Sequence, residues 1–489
     1  MKRYLSPQDA AFVRMESKRT PMHIGALLVF RLPPDAPADF LRTLLVQMRQ
    51  NPFMPPPFDS RLVQTGVNRL LPAWEPVAHD MDYHIRHSAL PYPGGERELG
   101  VLVERLHSQP LDLSRPLWEA HLIEGLEPSP DQRGDKSPRG RFAFYFKAHH
   151  CAVDGMGAME LVKDWLSEDP LNMDGPGMPD KPARPARPPA KAESLLRRAL
   201  KSTRGRARDA TELLKTFYQL GQRGPGGETS VLRAAGATPR TLFNVPVSQQ
   251  RRLGTQLLDL ARIKAITKAT GTTVNDVALA LCSGAVRRYL LEHDALPAAS
   301  LTASIPIGLP RSDGKPGNAV TGFVCPLATD EPDPLKRLKH IATITDRTKK
   351  QLLSMSSRSL EQFALVGMSP LLLGQMTGVL PRIPPFFNLV VSNVVASKKL
   401  LYLRGAELEA MYPISFLFDG YAINLTVVGY AGKVAVGFVG CRNAIPHLQR
   451  LAVYTGTALT ELEEAVSRGG GRAAADGRPV RPAPAGRRG

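Results

Sequence analysis

The run His149-His150-Cys151-Ala152-Val153-Asp154-Gly155 sets two adjacent imidazoles before a carboxylate and a glycine. An imidazole titrating near neutrality beside a substrate hydroxyl can act as a general base, which is enough to promote attack of an alcohol on an acyl group. Two other readings use the same residues. A satisfied core histidine followed by an ordinary Asp N-cap needs no chemistry. A metal site would take His149, His150 and Asp154 as ligands, but neighbouring strand residues point apart and no further His or Cys cluster completes a shell, so no metal is expected. Two histidines at this spacing from Asp-Gly should arise by chance on the order of once in a thousand chains of this length, which favours acyl transfer.

Between Arg141 and Ala148, Phe142, Phe144 and Phe146 alternate with Ala143, Tyr145 and Lys147, the period of a partly buried strand. If that geometry persists, only one of the two histidines faces a given cavity. From Met156 onward Met159, Val162, Trp165 and Leu166 recur at helical spacing, with Asp154 at the N-cap position. The histidine pair therefore sits on a strand-to-helix loop.

Around it the pattern predicts a strand over Met22 to Leu32, helices over Ala38 to Met48 and Glu96 to Leu106, and an extended segment from Leu117 to Ile123. Seven prolines between Pro170 and Pro189 read as an extended connector, followed by a basic helical stretch from Glu193 to about Leu220. The second half shows a strand at Arg252 to Leu258, a helix Leu260 to Ala269 closed by Gly271, and a helix from Thr273 through Tyr289 with Asn275 and Asp276 in its first turn. Strands at Leu301 to Ile307, Asn388 to Val394, Ala422 to Tyr430 and Lys433 to Val439 precede a last helix, His447 to Val466. A chain of 489 residues is too long for one ordinary core. The expected division is an N-terminal domain (1–169), a linker (170–245), a C-terminal domain (246–467) and a disordered tail (468–489).

The net charge of +18 suggests nucleic acid until it is located. Lys181 to Arg208 carries +9 and Arg468 to Gly489 carries +5, so the globular parts are nearly neutral. No nucleic-acid module accompanies these stretches, and no nucleic-acid partner is expected. A basic linker and tail fit an anionic membrane surface as well as they fit solvated flexible chain. The four cysteines, Cys151, Cys282, Cys325 and Cys441, are widely spaced, which suits a reducing cytoplasm. The start lacks an apolar signal region. Phe363 to Leu380 carries no formal charge, but Gly367, Pro370, Gly374, Gln375 and Gly378 argue for a buried or surface-lying segment over a transmembrane helix.

Several blocks in fixed order carry a resemblance. They are Ser6-Pro7-Gln8-Asp9 with Met15-Glu16 and Pro21 to Gly25; Leu111-Asp112 and Arg115-Pro116-Leu117-Trp118-Glu119; the His149 to Gly155 run; Thr273 to Val277; Gly317-Asn318; Asn388 to Asn393; and Ala422 to Leu425. On these the chain, from Leu5 to about Ala465, resembles the bacterial wax ester synthase/diacylglycerol acyltransferase family, within the chloramphenicol acetyltransferase-like, CoA-dependent acyltransferases. The resemblance implies an α/β (mixed α+β) fold of two such domains, each a mixed sheet with helices, and an active-site tunnel at their interface. It implies direct transfer of a fatty acyl group from acyl-CoA, a substrate and not a cofactor, to a long-chain fatty alcohol or diacylglycerol, with no acyl-enzyme.

The resemblance makes His150 the general base and His149 an orienting neighbour. Asp154 is implied to turn from the cavity and pair with an arginine, and Gly155 to permit close backbone approach. Asn275 is a candidate to hydrogen-bond the developing oxyanion or to hold the loop opposite His150. Pro116, Leu117, Trp118 and Asp276 are candidate substrate-site residues, although Leu117 and Trp118 suit a core and Asp276 suits a helix start. The uncharged Phe363 to Leu380 stretch and Pro384 to Phe387 are candidates for the wall of a lipid groove or for a surface patch. Peripheral attachment to the cytoplasmic membrane face or to lipid droplets is expected. A condensation-type acyltransferase using carrier-protein thioesters and a non-catalytic lipid-droplet surface protein are the alternatives.

Overall fold

A computed structural model describes residues 3–50, 54–65, 72–78, 80–128, 140–173, 238–308, 320–354 and 370–475. The expected helix from Glu193 to Leu220, the Gly317-Asn318 block and the end of the tail lie outside these residues.

The N-terminal half begins with β1 (Arg3–Tyr4) and α1 (Pro7–Met15). Ser6 caps α1 by accepting the Asp9 N–H at 3.1 Å, and Pro7 fills a first-turn position where no N–H is required. Then follow β2 (His23–Arg31), α2 (Phe40–Gln50), β3 (Ser60–Val63), β4 (Ala73–Pro76), the single turn α3 (Met81–His84), β5 (Ile85–Ala89), α4 (Glu96–Ser108), β6 (Trp118–Leu126), β7 (Arg141–His149) and α5 (Gly155–Trp165). The second half runs through β8 (Arg251–Asp259), α6 (Leu260–Thr270), α7 (Val274–Glu292), β9 (Thr302–Gly308), β10 (Val320–Pro326), α8 (Pro334–Leu353), β11 (Leu389–Ser397), β12 (Tyr402–Leu403), β13 (Ala406–Ile414), β14 (Ile423–Tyr430), β15 (Lys433–Cys441) and α9 (Gln449–Ala475). Gly271, in the left-handed conformation (φ 70°), ends α6 as its position in the sequence anticipates.

Two six-stranded mixed sheets result, as expected for this fold class. The first has the order β12-β13-β2-β7-β6-β5, with β5 and β6 parallel and its other pairs antiparallel. The second has the order β10-β9-β11-β14-β15-β8, with β11 parallel to both neighbours. The boundary at residue 246 does not divide them, because β12 and β13 leave the second half and extend the first sheet along β2. At that crossing a Cβ on Gly437 of β15 would lie 2.1 Å from the Pro413 carbonyl oxygen of β13, so glycine is what lets the sheets meet.

The first sheet is buried on both faces, unlike the half-buried strand read from its alternation. Phe142, Phe144 and Phe146 of β7 enter one apolar cluster, while Ala143 and Tyr145 enter another that runs into the second half through Phe438 and Val439. That second cluster receives α4, laid between the sheet and β8. α9 continues to Ala475, past the expected start of the tail. No described helix is long and apolar enough to cross a membrane.

Candidate active site

β7 leaves the sheet at the histidine pair. His149 is its last residue, paired with His23 of β2, and its N–H donates to the Leu117 carbonyl at 3.0 Å. The next N–H, of His150, donates to the Met22 carbonyl at 2.8 Å, and Ala152 N–H closes back on the His149 carbonyl at 2.9 Å. The chain then enters α5, whose N-cap is Asp154: its carboxylate accepts the Gly157 N–H at 2.7 Å. The corner is thus fixed by main-chain bonds from both neighbouring strands and by a cap.

The two imidazoles point to different surroundings, as alternation requires. His149 is sealed, 1% exposed; its Nδ1 accepts the Cys151 N–H at 3.1 Å, and Glu16 Oε2 lies 3.4 Å from its Nε2. This leaves the proton on Nε2, facing the carboxylate. Glu16 also accepts the Met22 N–H at 2.5 Å. His150 keeps part of its surface open and stacks on Phe12 at 4.2 Å between ring centroids, with Phe416 edge-on at 5.3 Å. Burial lowers its pKa to about 4 against the opposing pull of the nearby Asp154 carboxylate, so the ring is neutral and able to accept a proton at pH 7. Around it lies an apolar cluster that includes Phe416, Leu371, Leu380 and Phe387, with Phe12 packed on it. Leu371, Leu372 and Leu380 of the uncharged Phe363 to Leu380 stretch, together with Phe387, thus belong to the cluster whose Phe416 meets the His150 ring; residues 363–369 lie outside the described residues.

Beneath His149, on the same face of the sheet, stands a buried polar row. His23 Nε2 lies 2.8 Å from the His107 carbonyl, and His107 Nδ1 lies 2.9 Å from the Tyr145 hydroxyl. Lys147 Nζ donates to the carbonyls of Leu106 and Gln109 and sits 3.2 Å from Glu119 Oε2. Burial pushes His107 down to about 3 and His23 well below its ordinary value. Burial opposes ionisation of Glu119, yet the His121 ring 3.9 Å away and the charges of Lys147 and Arg86 outweigh it and hold the carboxyl at about 2.

The remaining sequence candidates separate. Asn275, at the start of α7, accepts a hydrogen bond from the Asn393 side chain at 3.2 Å. Asn393 adjoins Val394 on β11, and Val394 is what a Cβ at Gly155 would touch, at an ordinary 3.7 Å. Asn275 thus comes to the seam where α5 meets β11. Capping and packing account for the contacts the other candidates make. Among the described residues no arginine pairs with Asp154, which caps α5 and faces His150 electrostatically. Pro116, Leu117 and Trp118 are buried scaffold, with Trp118 Nε1 donating to the Phe58 carbonyl at 3.0 Å and Leu117 anchoring His149 by its main chain. Asp276 forms a capping box with Thr273 and accepts the Thr345 hydroxyl. Backbone geometry does not demand glycine at 155.

Phe12, Phe416 and the second role of Glu16 escape the sequence reading. Phe12 lies in α1 and Glu16 is the residue that ends it, so the C-terminal end of that helix serves both histidines. The Ser-Pro-x-Asp start of α1 was the available signal.

Residues 5–278 match the wax ester synthase/diacylglycerol acyltransferase catalytic domain, and residues 316–463 match the WS/DGAT C-terminal domain. A Mycobacterium tuberculosis protein named as a putative diacylglycerol O-acyltransferase is 49% identical over 464 residues, spanning 94% of this chain and 99% of that one. The O-acyltransferase WSD of Acinetobacter baylyi is 35% identical over 476 residues, spanning 95% and 96%. The solved wax ester synthase/diacylglycerol acyltransferase of Marinobacter aquaeolei VT8 superposes with a TM-score of 0.73 at 34% identity, covering 95% of this chain and all of that one.

Proposed function

The chain belongs to the wax ester synthase/diacylglycerol acyltransferase family, and on that premise we propose that it transfers a fatty acyl group from acyl-CoA to the hydroxyl of a long-chain alcohol, of diacylglycerol, or of both. The observation that carries the reading is His150: a neutral imidazole, partly open, walled by the rings of Phe12 and Phe416 at the edge of an apolar cluster. A base in that setting meets a lipid hydroxyl with little competing water.

In the proposed mechanism His150 takes the proton of the acceptor hydroxyl while its oxygen attacks the thioester carbonyl. The carbonyl oxygen gains negative charge, for which the Asn275 amide is the candidate donor. Collapse breaks the carbon–sulfur bond, and the proton held by His150 passes to the leaving thiolate, giving ester and free CoA. Protons balance and no covalent enzyme intermediate is formed. His149, with its proton directed at Glu16, holds the loop; Asp154 and Gly155 start α5 beside the reacting groups.

We place the enzyme peripherally at a membrane or lipid-droplet surface. Leu373 and Met376 are 61% and 47% exposed on the helical residues 370–377, and Arg382 is exposed nearby. The deciding experiment offers palmitoyl-CoA with hexadecanol and with a diacylglycerol to the purified protein. Ester from either acceptor, abolished in His150→Ala, is expected. Transfer to neither acceptor, or full activity in His150→Ala, refutes the reading, and acceptance of carrier-protein thioesters in place of acyl-CoA selects the condensation-type alternative.

A further inference from the structure

The corner that carries His150 rests on the segment from Glu16 to Met22. Glu16 contacts His149 and Met22, and the Met22 carbonyl holds the His150 N–H. Between them Ser17 and Thr20 close a turn, joined by main-chain bonds and by their hydroxyls at 2.7 Å. This short turn has no sheet partner of its own, so its position depends on what grips it from outside.

Everything described that grips it comes from the other half of the chain. Gln375 donates its amide to the Thr20 hydroxyl at 3.0 Å and accepts the Asp419 N–H at 2.8 Å. Asp419 in turn pairs with Arg19 at 3.0 Å and accepts the Val247 N–H at 3.0 Å. Arg251 of β8 donates to the Arg19 carbonyl at 2.6 Å. Thr20, Gln375, Asp419 and Arg251 are all buried, where each hydrogen bond is costly to leave unmade. The loop that bears Asp419 also bears Phe416, against the His150 ring, and Ser415, whose carbonyl meets His107. One loop therefore touches the base directly and holds, through Gln375, the turn beneath it.

We propose that Gln375 is a positioning residue for His150, acting through the Thr20 hydroxyl and the Glu16 to Met22 segment, so that the C-terminal half sets the geometry of a base carried by the N-terminal half. The proposal rests on the reading of His150 as the base. Its role is to keep the corner registered against Phe12 and Phe416. A loosened corner admits water to the ring and moves the hydroxyl-accepting nitrogen off its line of attack.

The test compares Thr20→Val, Thr20→Ser and Gln375→Met, with two readouts. The first is steady-state transfer from palmitoyl-CoA to hexadecanol. Thr20→Val and Gln375→Met should each lower kcat by about tenfold with KM for palmitoyl-CoA unchanged, as small displacements of a reacting group do. Thr20→Ser should restore the wild-type value, and the double variant should lose less than the product of the two single losses, because both remove the Gln375–Thr20 bond. The second readout is NMR titration of the His150 imidazole, assigned through His150→Gln, which needs no turnover. Its midpoint should rise in Thr20→Val and Gln375→Met toward the ordinary histidine value. If the wild type transfers no acyl group yet the midpoint moves, the functional reading fails and the coupling stands. If kcat per folded molecule and the midpoint both stay at wild type, or if Thr20→Ser falls as far as Thr20→Val, the proposal is overturned. Should Thr20→Val not fold, Gln375→Met decides from the other side of the bond.

Discussion

At the scale of single residues the site turns on two imidazoles that share a backbone corner and nothing else. His150 is neutral because burial outweighs the pull of Asp154, and its lowered pKa of about 4 fixes the sign of the pH response. The acid limb of kcat/KM reports the free enzyme's base. Activity should therefore hold its neutral-pH value at pH 6.5, where an unperturbed imidazole is half protonated, and fall only on further acidification; a limb centred at 6.5 would contradict the geometry. His150→Gln should lower kcat by about a thousandfold, within the usual span for losing a general base. Gly155→Ala should melt as the wild type does, since its Cβ meets only Val394 at 3.7 Å; any loss of turnover in it then measures space needed by substrate. The pair was legible from residue type and spacing. Glu16 was not, because its value comes from standing 3.4 Å from a histidine 133 positions away in the chain.

At the scale of elements, α5 and the β13–β15 crossing are the two places where local chemistry sets the architecture of the site. Asp154→Ala removes the α5 cap and should cost about 1 kcal/mol of stability, whereas Asp154→Asn keeps an acceptor for the Gly157 N–H and should melt within a degree or so of the wild type. Thermal melts of the two variants check it; equal losses would mean that charge, not capping, is what Asp154 supplies. At the crossing, Gly437→Ala forces a methyl against the Pro413 carbonyl at a separation no relaxed structure tolerates. It should cost about 2 kcal/mol or more, as overpacking at a buried backbone contact does, read as a lower melting temperature. The sequence did show β2, β7, β14 and β15 by their apolar runs. It concealed α8, although Leu338, Ile341, Thr345, Thr348 and Leu352 all lie buried along one side of it, because polar threonines weaken the apolar period.

At the scale of the whole molecule, the sheets are bound by a core that crosses the seam and by a polar row that must stay neutral or paired. His23, His107 and His150 all have pKa values lowered by burial, so the unfolded chain binds more protons below the ordinary histidine value. Stability is then full above pH 6.5 and declines as the pH falls toward 4 and 3. Each such histidine costs about 1.4 kcal/mol per pH unit over the interval in which only its unfolded form is charged. Glu119, held at about 2, contributes stability that is full above its ordinary value of 4.5 and lost as the pH falls through 2, a change of the same sign at lower pH. Denaturant midpoints measured at pH 7.5 and pH 5 should therefore differ, with the acidic one lower. Substituting His107 by Gln should narrow that difference; an unchanged difference would remove these histidines as its cause.

The order of the blocks along the chain determined the family, the mixed α/β class and the identity of the histidine corner, because each depends on residue type at short separation. What stands around His150 was decided only by the tertiary structure. Phe12 comes from the first helix, Phe416 from a loop after β13, and Thr20 meets Gln375 across 355 positions. No local period records such meetings. They follow from β13 leaving its own half to extend the first sheet, since burial of both faces of that sheet outweighs the preference of a strand for its nearest neighbours in sequence.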